Sequence, residues 1–435
     1  MLRGSRNIID YGRAEGWSVM MEQWLNGPVG MGAEQRVLRH GCRTVLVVVP
    51  FVVAGTRLMD VLPLLEADHR ILTVFTVAPA SNGAACHGVE EFLRAHACLV
   101  LPWQQAVQYE FDLVLAASPH GVAHVRGKSM LLPHGAGAVR PLSRARSAGL
   151  SAVSTHDLDR ESLLCRGRLI PDVLALSHDA ELGMLGESCP EALPVATVAG
   201  DICYDRLLAS IPFRAQYRRA FGLTPGQKLV VVSSTWQPES TLGRQPDLVD
   251  RVVGALPPDR YRVATIVHPN TWSVHGGWQV RAWFADSLLR GMLLLPPEDG
   301  WRAGLVAADL VVGDYGSVTR YGAAIGVRVM VAPLPEEGMR PDPVIDALRR
   351  HAPALRPEKP LLGQISAAMT SDRSWQEGLA TRITSRPGQA GAILRSAMYR
   401  LLGLAEPARA VPCSPVPLPR PVHGETAWWK ETRHV

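Results

Sequence analysis

The hydrophobic positions of this chain gather into short β-branched runs separated by longer stretches of mixed polarity. Thr44 to Val53 is the first run, and Ile71 to Val77, Leu113 to Ala116, Ser129 to Leu132, Val173 to Leu176 and Val195 to Val198 follow it. Each run is apolar almost throughout instead of alternating, which marks strands buried on both faces, and the intervals suit crossover helices. The pattern predicts a parallel sheet covered on both sides. A second series, Lys228 to Val232, Tyr261 to Val267, Met292 to Leu295, Leu310 to Val312 and Arg328 to Val331, predicts a second unit of the same kind. Between the two, Tyr204 to Phe221 reads as a helix with an arginine-rich face, and Pro225-Gly226 closes it with a turn.

The expected fold class is therefore α/β, with two Rossmann-like doubly wound domains facing a cleft. Ligands in such sheets bind beyond the carboxyl ends of the strands. The boundaries that follow are an N-terminal extension over 1–42, a first Rossmann-like domain over 43–203, a hinge region over 204–226 and a second Rossmann-like domain over 227–405. From Glu406 to the end at 435, the prolines Pro407, Pro412, Pro415, Pro417, Pro419 and Pro421 predict a tail or extended wrap outside the core. A length of 435 residues fits two large domains.

Composition narrows the partners. The formal net charge of +5 is mild for this length, and Lys128, Lys228, Lys359 and Lys430 are its lysines, so arginine supplies nearly all cations. No dense basic run with interleaved aromatics tracks a nucleic-acid backbone, and no nucleic-acid partner is expected. The seven cysteines are scattered without a C-x-x-C pair, against a disulfide framework or a structural zinc site. Residues 1–41 contain no apolar core like that of a signal peptide, and the longest apolar run, Val45 to Gly55, falls short of the ~20 residues that a spanning helix needs. A cytoplasmic setting is expected, with peripheral contact to the inner membrane face left open through Arg214, Arg218 and Arg219.

Candidate chemistry lies at the strand ends. The strand Leu310 to Val312 runs into Asp314-Tyr315-Gly316-Ser317-Val318, a small polar turn that opens a helix. A helix start leaves N–H groups unpaired and carries partial positive charge, so an anion is stabilised there. Asp314 or Ser317 would serve equally as a plain N-cap. After Leu131-Leu132 comes Pro133-His134-Gly135-Ala136-Gly137, after Val230 to Val232 comes Ser233-Ser234-Thr235-Trp236, and after Val263 to Val267 comes His268-Pro269-Asn270. Gly200-Asp201-Ile202-Cys203-Tyr204-Asp205 follows Val195 to Val198. Asp157-Leu158-Asp159 has a D-x-D form but no strand before it, so no metal or other cofactor is expected.

This ordered set resembles the CDP-glycerol glycerophosphotransferase family, the teichoic-acid polymerases and primases with a GT-B-like fold. The resemblance runs over roughly Ser129 to Leu402 and rests on His134-Gly135-Ala136-Gly137, Gly200 to Asp205, Ser234-Thr235-Trp236-Gln237, His268-Pro269 and Asp314-Tyr315-Gly316-Ser317, with Arg386-Pro387-Gly388-Gln389-Ala390 echoing a later segment. The chain departs from the family at Ile202-Cys203, Gln237 and Gly316, and Val139 and Arg140 follow the His-Gly turn where a lysine is usual. Basic residues and a hydroxyl that would meet phosphates are thus missing.

The resemblance implies displacement at a phosphorus or glycosyl carbon of a CDP- or UDP-linked donor, with the nucleotide leaving, by a hydroxyl acceptor that is lipid-linked in many relatives. It implies His134 as general base and His268 as acid or electrostatic partner. Gly135, Gly137, Thr235, Asp314, Tyr315, Gly316, Ser317 and Val318 would bind the donor phosphates, and Pro296 and Pro297 would lie where relatives hold the base. Transfer of a glycerol-phosphate, polyol-phosphate or glycosyl group in cell-envelope polymer synthesis is the leading expectation. A degenerate binding protein of the same fold and a sugar-nucleotide epimerase are the alternatives.

Overall fold

The computed structural model describes residues 24–30, 32–79, 88–136, 158–332, 342–409 and 411–420. Among them, the first domain is built on seven parallel strands: β1 (Arg43–Val49), β2 (Ile71–Val77), β3 (Val100–Leu101), β4 (Glu110–Ala116) and β5 (Arg126–Leu131), then, past the small antiparallel hairpin β6 (Leu164–Cys165) and β7 (Arg168–Leu169), β8 (Val173–Leu176) and β9 (Ala196–Val198). Their order is β3-β2-β1-β4-β5-β8-β9. The second domain carries β10 (Lys228–Ser234), β11 (Tyr261–Val267), β12 (Leu293–Leu295), β13 (Leu310–Gly313) and β14 (Arg328–Val331) in the order β12-β11-β10-β13-β14, again parallel.

Both sheets are covered on both faces, as the continuous apolar runs require. Val45, Val47 and Val49 of β1 enter one core, while Leu46 and Val48 enter the core on the opposite face. In β10, Leu229 and Val231 divide from Val230 and Val232 in the same way. The first run ends earlier than its hydrophobicity predicts. Pro50 supplies no ladder N–H, and Val52–Val61 turns into a helix.

The expected helix from Tyr204 to Phe221 is two helices, Ile202–Ser210 and Arg214–Ala220, divided by a turn at Ile211–Phe213 that contains Pro212. Two of its three arginines are engaged within the protein, while Arg219 is exposed. Arg214 and Arg218 donate to the carbonyls of Val306, Ala307 and Ala308 and to Asp309, closing the end of the Trp301–Ala307 helix. The last helix, Ala390–Leu402, was expected with the second domain, yet Leu394, Ala397, Met398 and Leu402 lie in the core of the first. The proline-rich segment after it is partly a core element: Val416 is buried in the second domain, its N–H donates to Ser210 Oγ at 3.0 Å, and its carbonyl accepts from Tyr217 at 2.7 Å.

Candidate active site in the interdomain cleft

Both sheets have the strand order of doubly wound folds, so the neighbours β10 and β13 diverge at the switch point and their carboxyl-end loops lie side by side. These loops are Thr235 to Gln237 and Asp314 to Gly316. They line a cleft of about 1210 Å³ between the domains. His134, Gly135, Thr235, His268, Pro296, Pro297, Tyr315, Gly316, Ser317 and Val318 all line this cleft. Gly137 lies outside the described residues, as does Asp157. Asp159 caps the Arg160–Leu163 turn by accepting from Ser162 N–H at 2.8 Å. Among the described residues, no group of three His, Cys, Asp or Glu side chains could hold a metal ion.

Asp314 plays a different part from the one expected. Its Oδ2 accepts from Thr235 N–H at 2.9 Å, Thr235 Oγ1 at 2.8 Å and Thr241 N–H at 3.0 Å, and its Oδ1 accepts from Gly316 N–H at 3.0 Å. A carboxylate facing a phosphate would repel it. Turned inward onto these donors, Asp314 instead fastens the β10 loop to the β13 loop, and the Thr235 hydroxyl is used in the same fastening. Gly316, not Asp314 or Ser317, occupies the N-cap position of the Ser317–Ala324 helix. A Cβ on Gly316 would lie 2.8 Å from Thr235 Cγ2 and 3.1 Å from Asp314 Oδ1, so a side chain is excluded by this fastening. What remains for an anion is the backbone of the first helical turn and the Ser317 hydroxyl.

The first domain reaches this helix start directly. A Cβ on Gly135 would lie 3.2 Å from the Ser317 hydroxyl, so the His-Gly turn after β5 and the turn after β13 meet across the cleft. His134 stands edge-on to Phe51, with ring centroids 5.3 Å apart. His268 caps the Pro269–Trp283 helix, its Nδ1 accepting from Asn270 N–H at 3.1 Å, and its ring stacks on Trp236. Burial, helped by nearby His134, pushes the His268 pKa down to about 4. The ring is therefore neutral at pH 7, and with Nδ1 accepting, Nε2 carries the proton. A neutral imidazole is a poor acid but a good fixed donor, so of its two expected roles the electrostatic one fits.

Sequence reasoning missed the arginines. In the Val52–Val61 helix, Arg57 is buried and donates to Asp201 Oδ1 at 2.9 Å and to Tyr321 Oη at 2.8 Å, while Tyr321 donates to Asp201 Oδ2 at 2.6 Å. Asp201 also caps the Ile202–Ser210 helix. Beside this triad, Asp60 accepts from Arg206 at 2.6 Å and from Arg302 at 2.5 Å, and Arg302 reaches Cys203 Sγ at 3.2 Å. These charges cross the domain boundary and hold the Ser317–Ala324 helix, which carries Tyr321, against the first domain. Their carboxylates keep the Arg57 and Arg302 guanidiniums above their ordinary pKa despite burial. The signal was Thr56, Arg57 and Asp60 standing inside an otherwise apolar helix. Of the Gly200 to Asp205 motif, Cys203 lines the cleft, while Asp205 accepts from Gly388 N–H at 2.6 Å and Ala390 N–H at 3.0 Å, joining the motif to the Arg386 to Ala390 segment.

No protein-family model and no curated protein matches the sequence. Among solved structures, a variant of the wall teichoic acid polymerase TagF soaked with CDPG matches at 9% identity over 83% of this chain and 88% of that one, with a TM-score of 0.56. A second TagF variant matches at 10% identity over 83% and 89%, with a TM-score of 0.53. Anabaena Alr3699/HepE in complex with UDP and glucose matches at 15% identity over 83% and 100%, with a TM-score of 0.46. With its two parallel Rossmann-like sheets closing on one cleft, the chain has the GT-B-like fold that it shares with TagF.

Proposed function

We propose that this protein is a transferase that moves a glycerol-phosphate, polyol-phosphate or glycosyl group from a nucleotide-activated donor to a hydroxyl acceptor. The observation that carries the reading is the meeting of the His134-Gly135 turn with the Ser317 helix start across the cleft. A base and an anion site on opposite walls are what such a displacement needs. His134 takes the proton of the attacking hydroxyl. Transfer at phosphorus joins the acceptor oxygen to that phosphorus and releases a nucleoside monophosphate, whereas transfer at a glycosyl carbon breaks the carbon–oxygen bond and releases the diphosphate. In either case the departing negative charge is met by the Ser317–Ala324 helix start and by the His268 Nε2–H.

The fold shared with TagF, one of whose structures was obtained with CDPG, supports a CDP-linked donor, and Pro296 and Pro297 at the cleft wall suit the base. The sequence resemblance supports an acceptor in cell-envelope polymer synthesis. No described helix is long and apolar enough to cross a membrane. The test is titration of CDP-, UDP-, GDP- and dTDP-linked donors followed by heat denaturation, since a ligand of the native state raises its stability. Product analysis with the donor that binds then shows which group moves. Binding of none of them at millimolar concentration overturns the reading. His134→Ala should retain donor binding and lose turnover, and a variant that keeps full turnover removes the assignment of the base.

A further inference from the structure

The buried arginines at the domain boundary differ in how fully they are satisfied. Arg57 has Asp201 and Tyr321, Arg206 has Asp60 and the carbonyls of Ser414 and Pro415, and Arg302 has Asp60, Cys203 and the Thr56 carbonyl. Arg320 is 4% exposed, yet among the described residues its single hydrogen bond runs from Nη2 to Asp342 Oδ2 at 2.7 Å. Its Nε is buried with no partner. The other oxygen of that carboxylate, Oδ1, is taken by Val344 and Ile345 N–H, so Asp342 meets Arg320 through one oxygen and not as a bidentate pair. Burial accordingly outweighs Asp342 and lowers the Arg320 pKa. A guanidinium left with unmet donors is costly in a native protein, and a bound anion would recover that cost.

Arg320 also lies where an anion would be expected to extend. Ser317 and Arg320 are three residues apart on the same helix, which puts them on one face with a rise of about 4.5 Å between them, and both line the cleft. The helix start takes one phosphate by its backbone, and the planar fork of Arg320 suits a second. We propose that Arg320 reads the second phosphate of a diphosphate-linked ligand whose first phosphate lies on the Ser317–Ala324 helix start. This deepens the transferase reading and rests on it for the nucleotide. The second phosphate belongs to the transferred group in a polyol-phosphate donor and to the leaving group in a glycosyl donor. Arg320 serves either.

The test is calorimetric titration of the full chain, Arg320→Gln and Arg320→Lys with CMP, CDP, UMP, UDP and inorganic pyrophosphate. Arg320→Gln should weaken the nucleoside diphosphate that binds by roughly tenfold or more and shift its monophosphate by less than about twofold. Arg320→Lys keeps the pair with Asp342 but loses the fork, and should show the same selectivity at smaller size. Equal loss of mono- and diphosphate, or no change in either, overturns the proposal. Should Arg320→Gln fail to fold, the Arg320→Lys titration decides by the same criterion. If the wild type binds no nucleotide, the transferase reading fails, and pyrophosphate alone decides Arg320: binding that Arg320→Gln abolishes supports it, and absence of binding refutes it.

Discussion

Adding a side chain at Gly316 should destabilise the protein through Thr235, and trimming Thr235 should undo much of the damage. Gly316 has φ −67° and ψ 162°, an extended conformation open to any residue, so its requirement for glycine is not one of backbone strain. It is steric: a Cβ would stand 2.8 Å from Thr235 Cγ2 and 3.1 Å from Asp314 Oδ1. Forcing one carbon into such a site costs about 1–3 kcal/mol. Thr235→Ser removes the closer atom while keeping the hydroxyl bonded to Asp314, and alone should cost about 0.8 kcal/mol for the lost methyl. Gly316→Ala with Thr235→Ser should therefore be more stable than the sum of the single variants by about 1 kcal/mol or more, a coupling well above the scatter of additive pairs. Urea denaturation of the four proteins gives the cycle. If the two changes simply add, Thr235 Cγ2 is not what excludes a side chain at Gly316, and the account of that departure from the resembled family falls.

Asp201→Asn should cost about 3–5 kcal/mol in denaturant unfolding, because it leaves Arg57 buried without its charge partner, and Tyr321→Phe should cost less, removing one neutral donor. An equal, small effect from both would show that the triad carries no net charge coupling. The depressed His268 pKa makes stability depend on pH: between about 6.5 and 4 the unfolded chain binds the proton that the folded chain refuses, so stability is full above pH 6.5 and falls by up to about 3 kcal/mol as pH drops to 4. Denaturation across this window should lose that slope in His268→Gln, and an unchanged slope places the titrating group elsewhere.

How far the sequence reached can be judged at particular residues. The continuous runs at Val45 to Val49 and Leu229 to Val232 determined parallel, doubly covered strands, because no other placement buries both sets of alternating side chains. The turns after β5, β10, β11 and β13 were legible as cleft loops, since carboxyl-end loops of such sheets gather at the switch point. The short edge strand β3 and the β6–β7 hairpin were not, because two-residue pairings leave no periodic signal.

Roles within the site needed the tertiary structure. Asp314 reads in sequence as a residue of the anion turn, and only the adjacency of β10 and β13 shows its carboxylate saturated by Thr235, Thr241 and Gly316. The buried cations Arg57 and Arg302 are remote from the motifs in the chain and pair with Asp201 and Asp60, while Arg320 lies one turn beyond one of the motifs. Sequence order determines which strands form and which loops follow them. Which charges meet is decided by the docking of one domain on the other, since a buried arginine acquires its meaning only from the carboxylate, or the anion, placed against it.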